Sequence, residues 1–193
     1  MFVKTNIKNC QTSTNGKVIQ AIKGVSTREI QQSSQITNIY KCVLLGDANV
    51  GKTLFTQTIC SQRTLSQTYL ATNSIKVHKI NTKNKNVDLF DVPPRFDISH
   101  INVDAVIIVF SLTSRISFDN LSKWIKDAPK SVPILIVATH KDIFEKSRAV
   151  TKTMIDNFLS KYDVNYTEVQ FFNHYSRTST TQLLTIVDDL LTN

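Results

Sequence analysis

The sequence predicts an α/β fold, a doubly wound and mostly parallel six-stranded sheet with helices on both faces, preceded by a polar N-terminal extension. Three observations predict it. From residue 38 onward, short apolar runs alternate with stretches of helical periodicity, the rhythm of strand–helix–strand units. Three of the runs, 103–110, 133–138 and 167–172, read as fully buried strands, which a sheet covered on both faces requires. Finally, Gly46-Asp47-Ala48-Asn49-Val50-Gly51-Lys52-Thr53 has the spacing G-x-x-x-x-G-K-[ST]. It lies between a strand-like run at 39–45 and a helix-like run at 54–60, the context a phosphate-binding loop needs.

Residues 1–37 are rich in Thr, Asn, Gln, Ser and Lys, with one weak apolar cluster at Val18, Ile19, Ile22 and Val25. They read as a flexible extension with room for one short helix, which leaves 38–193 as the folded domain. The strand at 39–45 is central and feeds the Gly46–Thr53 loop. Residues 74–80 alternate like a half-exposed strand, and 86–90 pairs naturally with it across 81–85. Helical stretches follow at 117–127, 151–162 and 180–191, the last with Leu183, Leu184, Val187, Leu190 and Leu191 on one face. In such a sheet ligands bind at the carboxyl ends of the strands.

Composition narrows the function. The chain has 193 residues, 41% of them hydrophobic, enough for one core. Its three cysteines, Cys10, Cys42 and Cys60, are scattered and contain no C-x-x-C pair. They suggest neither a disulfide framework nor zinc, and a reducing, cytoplasmic setting is expected. The opening Met-Phe-Val-Lys leads into polar sequence and reads as neither signal peptide nor membrane span. Phe2 stands where myristoylation needs glycine, and Leu190-Leu191-Thr192-Asn193 offers no prenylatable cysteine, so no lipid anchor is expected. The net charge of +8 comes from dispersed lysines without an aromatic–basic motif. That is a solvated surface, and no nucleic-acid partner is expected. The chain reads as a monomer.

The loop carries the chemistry. Its glycines let backbone N–H groups close around phosphate oxygens at a helix N-terminus. Lys52 would reach the outer phosphates of a nucleotide, and the Thr53 hydroxyl would ligate Mg²⁺.

Further segments follow in order at strand ends: Tyr69-Leu70-Ala71-Thr72, Asp91-Val92-Pro93-Pro94, Phe110-Ser111-Leu112-Thr113-Ser114-Arg115-Ile116-Ser117-Phe118 with Trp124 beyond it, Thr139-His140-Lys141-Asp142, and Ser176-Arg177-Thr178. Together with the loop they resemble the Ras superfamily of small GTPases, the Rab branch most, over residue 38 to the end. The resemblance implies a G domain that binds GTP or GDP with Mg²⁺ and acts through protein effectors or regulators. It implies that Thr72 caps the metal and the γ-phosphate, and that Asp91 holds Mg²⁺ through water. Thr139, His140 and Asp142 fall in the place of the base-reading N-K-x-D, and Ser176 and Arg177 in that of S-A-K. Asp142 would read guanine, since a carboxylate accepts from both N1–H and the 2-amino group, and adenine would leave that acceptor unpaired. Thr139 replaces the usual Asn. His140 replaces a Lys whose stem covers the base; it either stacks there or is a surface-loop histidine.

The second switch departs from the pattern. Pro94 stands where a glycine gives its N–H to the γ-phosphate, and proline has none. Arg95 stands where a glutamine orients the attacking water, and arginine donates only. The loop before 103–110 is also short. Alternatively, Pro93-Pro94 is a rigid surface turn and the γ-phosphate contact lies elsewhere. Arg95 near a γ-phosphate would stabilise transition-state charge, but without positioned water a solvated or structurally paired arginine is the simpler role. Leu65 falls where an aromatic usually covers the guanine edge. The expected function is guanine-nucleotide binding with slow or absent hydrolysis; the alternative is a non-enzymatic pseudo-GTPase scaffold with structural or no nucleotide. A phosphate-loop kinase or ATPase lacks an arginine-rich lid and leaves 139–142 without a role.

Overall fold

Val43, Leu44 and Leu45 are apolar on both faces of one strand, and that strand, β1 (Ile39–Leu45), becomes the middle of the sheet. The structure, a computed structural model, describes residues 38–60, 74–94, 96–99, 101–141, 147–171 and 177–192. All lie in the second of the two units into which the chain divides, Thr37–Asn193. The extension at 1–37, Leu65, the 69–72 segment with Thr72, Arg95, Asp142 and Ser176 fall outside the described residues.

After β1 come α1 (Lys52–Ile59), β2 (Lys76–Asn81), β3 (Asn86–Asp91), β4 (Ala105–Ser111), α2 (Arg115–Asp119), α3 (Leu121–Asp127), β5 (Ile134–Thr139), α4 (Lys152–Leu159), β6 (Asn165–Glu168) and α5 (Arg177–Leu190). The six strands order as β2-β3-β1-β4-β5-β6. Only β2 runs antiparallel, against β3; the other neighbours are parallel. The doubly wound, mostly parallel six-stranded sheet is the fold the sequence predicts. Strand order reverses at β1, whose neighbours are β3 and β4, and the Gly46–Thr53 loop leaves the sheet at that crevice.

Period-two alternation builds two cores. Ala105, Ile107 and Val109 of β4 face Phe55 and Ile59 of α1 and Leu183 and Val187 of α5. Val106, Ile108 and Phe110 face Phe118, Leu121 and Trp124 of α2 and α3 and Ile155 of α4. Each large side chain so buried contributes about 1.5–3 kcal/mol. Cys42 lies in the first core, where burial pushes its thiol up to about 12 and leaves it unreactive.

Two expected elements differ. The run at 167–172 is not a fully buried strand: β6 starts earlier, ends at Glu168 and is partly exposed along its length. It is the sheet edge, so polar Asn165 and Glu168 are tolerated. The apolar signal comes from Val169 and Phe171, which pack on the core after the ladder ends. The helix expected at 117–127 starts at Arg115, capped by Ser114 Oγ accepting from Ser117 N at 3.3 Å. It is divided at Asn120, which keeps near-helical backbone angles.

The β2–β3 turn is fastened to α5. Asp188, only 8% exposed, accepts from Thr82 Oγ1 and, at 2.8 Å, from Asn84 Nδ2; Lys85 Nζ lies 3.7 Å from its carboxylate and donates to its carbonyl at 3.2 Å. The Thr82 hydrogen bond, helped by Asn84 and Lys85, outweighs desolvation and holds the Asp188 carboxyl below the ordinary range. A depressed carboxyl stabilises the fold above its unfolded value and loses that contribution as pH falls through its folded value. Hydrogen exchange in the 82–85 turn should therefore stay protected through the ordinary carboxylate range and rise only at lower pH. Asp188→Ala should cost about 0.5–1.5 kcal/mol at neutral pH, since Thr82 and Lys85 are partly buried and lose their shared acceptor; unchanged denaturant unfolding would dismiss the latch.

Candidate functional site

Gly46 leaves β1 with φ 135°, and a Cβ there would sit 2.2 Å from the Val109 carbonyl oxygen. No other residue fits that approach. Asn49 (φ 61°) and Gly51 (φ 95°) turn the chain back into α1. Asn enters the left-handed region more readily than most residues. Gly51 gives α1 no side-chain cap, which leaves the first-turn N–H groups to an anion. Ala48 and Asn49 are exposed on the rim, while Val50 is buried beneath it.

Lys52 is 6% exposed, and its Nζ donates to the carbonyls of Gly46 (2.9 Å) and Asp47 (2.7 Å). Burial lowers its pKa, opposed by the charges of Asp91 and then Asp47. Thr53 Oγ1 donates to Asp91 Oδ2 at 2.9 Å, closing the gap between α1 and the end of β3. Asp91 is fully buried, and its Oδ1 has no hydrogen-bond partner. A buried anionic oxygen beside a threonine hydroxyl is the hard donor set that fits Mg²⁺. His78 on β2 is a second unpartnered group: its Nε2 is buried, and burial lowers its pKa against the field of Asp91. Sequence reading missed it, because one histidine in an alternating strand carries no signal of its own.

Asp47 differs from the simplest expectation. Its carboxylate does not turn into the loop: Oδ2 accepts from Asn120 Nδ2 at 2.7 Å and Oδ1 from Trp124 Nε1 at 3.1 Å. Only its main chain remains on the phosphate side. Trp124 belongs to the 110–124 segment of the resemblance, and its i, i+4 spacing from Asn120 is the sequence signal that both face one way.

At the carboxyl end of β5, Thr139 is fully buried and its hydroxyl lies 2.8 Å from Val50 O and 3.1 Å from Phe110 O. The residue in the Asn position thus ties the phosphate loop to β4 and β5. His140 has φ 63°, with Nδ1 2.9 Å from Thr139 Oγ1 and 3.0 Å from Ser111 Oγ. One ring nitrogen is thereby fixed to the protein at the carboxyl ends of β4 and β5. The turn leading to Asp142 is braced by Lys141 N donating to Val169 O (3.2 Å) and by Arg148, which bonds Lys141 O (3.2 Å) and Glu168 (3.3 Å). Arg177 opens α5; its side chain, like Ser176 and Asp142, is outside the described residues.

After Asp91 the chain is anchored. Val92, Ile98 and Val103 are 1%, 4% and 5% exposed, and Phe96 and Ile101 pack on the same core. Phe96 N donates to Pro93 O at 3.2 Å, closing a turn with Pro94 in its second position, which favours proline. Pro94 thus sits in a closed turn, and as a proline it has no N–H to offer there.

A sequence model of the Ras family matches residues 41–176. Among curated proteins, the GTP-binding nuclear protein GSP1 of Encephalitozoon cuniculi (strain GB-M1) is 28% identical over 145 residues, covering 67% of this chain and 67% of that protein. The matched span runs from the strand that feeds the phosphate loop to the threshold of α5. By that match, and by the sheet order and loop that carry it, the chain belongs to the Ras family of small GTPases.

Proposed function

We propose that this protein is a Rab-like member of the family that binds GTP or GDP, hydrolyses GTP slowly or not at all, and acts as a cytoplasmic monomer through protein effectors or regulators. Ras-family proteins bind GTP and GDP with Mg²⁺. Lys52 would meet the outer phosphates. Mg²⁺, drawn to Thr53 and Asp91 with Thr72 as its further expected ligand, would neutralise phosphate charge. Thr139, His140 and Asp142, with Ser176 and Arg177, form the proposed base side.

The carrying observation is Pro94. The segment that should close on a γ-phosphate has no N–H at that position and is pinned by Val92, Ile98 and Val103. A segment that makes no contact with the γ-phosphate gives GTP no advantage over GDP, and a ligand with equal affinity for two states shifts no population between them. GTP and GDP should therefore bind alike, with single-turnover hydrolysis very slow. Pro94→Gly with Arg95→Gln should gain measurable hydrolysis or a GTP preference. Hydrolysis by the unaltered protein at ordinary small-GTPase rates would end the proposal. Partner docking has a place on the edge strand: Ile75 and Val77 are 40% and 48% exposed beside and within β2.

The alternative, a pseudo-GTPase scaffold with structural or no nucleotide, is favoured by the proline at 94 and the arginine at 95, which remove the N–H donor and the water-orienting side chain together. Nucleotide carried through purification, identified by mass, decides against it; its absence together with no binding on titration decides for it.

A further inference from the structure

A carboxylate inside a phosphate-binding loop has the wrong sign for its neighbours. Asp47 solves this by facing away, with one donor for each oxygen: Asn120 Nδ2 at 2.7 Å and Trp124 Nε1 at 3.1 Å. Both donors are neutral, so they hold the carboxylate in place without adding a competing cation. Asn120 stands at the start of α3, where an Asn side chain ordinarily caps the helix, yet it makes no cap hydrogen bond. Its amide is spent on the loop instead. Trp124, one turn on, is 6% exposed and packs in the core with Phe118 and Leu121, so its N–H is held in a fixed direction. Meanwhile the main-chain oxygen of Asp47 accepts from Lys52 Nζ at 2.7 Å. One residue thus joins the α2–α3 pair to the ammonium group that faces the phosphates.

We propose that Asp47, Asn120 and Trp124 form a clamp that sets the phosphate loop, with Asp47 and Trp124 as positioning residues for bound nucleotide. The proposal rests on nucleotide occupying this loop and goes beyond it by naming what holds the loop open. Ala48 and Asn49 at the loop's rim are exposed. The path of the loop is therefore set by bonds to its other residues, the Thr139 hydroxyl on Val50 O being one. The outward bonds of Asp47 add a constraint from behind, and preorganisation of this kind lowers the cost of binding. Because Trp124 is the chain's single tryptophan, its emission reports on the loop directly.

The test uses the full chain and a fluorescent GDP analogue, displaced by excess GDP to give a dissociation rate. Trp124→Phe keeps an aromatic ring in the core and removes the donor; it should speed dissociation about three- to tenfold. Asp47→Asn, which keeps the shape and loses the charge and one acceptor, should do likewise. Asp47→Ala combined with Trp124→Phe should be no worse than Asp47→Ala alone, since Asp47→Ala already removes the bond that Trp124→Phe breaks. In the unaltered protein GDP should change the tryptophan emission, and in Asp47→Ala that response should vanish. Variants that melt earlier yet release GDP at the unaltered rate would show a packing role and overturn the clamp alone. Failure of the unaltered protein to bind GDP at all would overturn the nucleotide reading together with the clamp.

Discussion

Lys52→Ala should lower affinity for GDP and GTP alike by about one to two decades. Lys52 is the loop's one cation, and a charge-assisted contact is worth about 1.5–3 kcal/mol. Two effects combine. The phosphates lose their ammonium partner, and the carbonyls of Gly46 and Asp47 lose the donor that draws them together at 2.9 and 2.7 Å. Lys52→Met, which keeps most of the buried stem, separates them: it should restore packing and leave affinity low. Calorimetry with GDP and GTP reads both variants, and affinity unchanged in Lys52→Ala would mean the loop no longer serves nucleotide. Burial lowers the Lys52 pKa, so a bound phosphate should raise it again.

Gly46→Ala should be worse still, because it damages fold and site together. The added Cβ would lie 2.2 Å from the Val109 oxygen, and that atom belongs to β4, buried along its whole length. Nothing flexible can give way. A φ of 135° adds strain for any side chain. A loss of about 2–4 kcal/mol follows, roughly 5–15 °C in Tm for a domain of this size, with nucleotide binding abolished. Gly51→Ala is the internal comparison. Its Cβ would meet the Thr139 methyl at 3.4 Å, an ordinary contact, so only the strain of φ 95° remains. Equal melting of the two variants would contradict this account of Gly46.

The parts of the fold legible in the sequence were those set by local pattern. β1 spans 39–45 as expected because the apolar run stops at Gly46, and the 86–90 strand pairs with its predecessor across a polar turn. The phosphate loop was legible because its glycines and Lys52 are fixed by short-range geometry. What was hidden depends on contacts far apart along the chain. Asp47 meets Trp124 across 77 residues, and Thr139 meets Val50 across 89. No pattern within either segment tells that a carboxylate in the loop faces a helix, or that the Thr139 hydroxyl braces the phosphate loop. β6 was misplaced for a related reason: at a sheet edge, burial no longer marks which residues join the ladder.

The latch at Asp188 has a consequence for the order in which the molecule can be made. Thr82 and Asp188 are 106 residues apart, and α1 leans on α5 through Thr180 Oγ1, 3.0 Å from Thr58 O. During synthesis at about 5–20 residues per second, the hairpin emerges roughly 5–20 s before the residue that fastens it. Throughout that interval β2 is an unfastened edge with Val77 uncovered, and the helix that begins at Lys52 lacks its outer neighbour. The nucleotide loop is thus encoded early and finished late. A nascent chain halted before α5 emerges holds the phosphate-binding motif without the packing that makes it a site. GDP added to stalled chains should protect only those that have released α5.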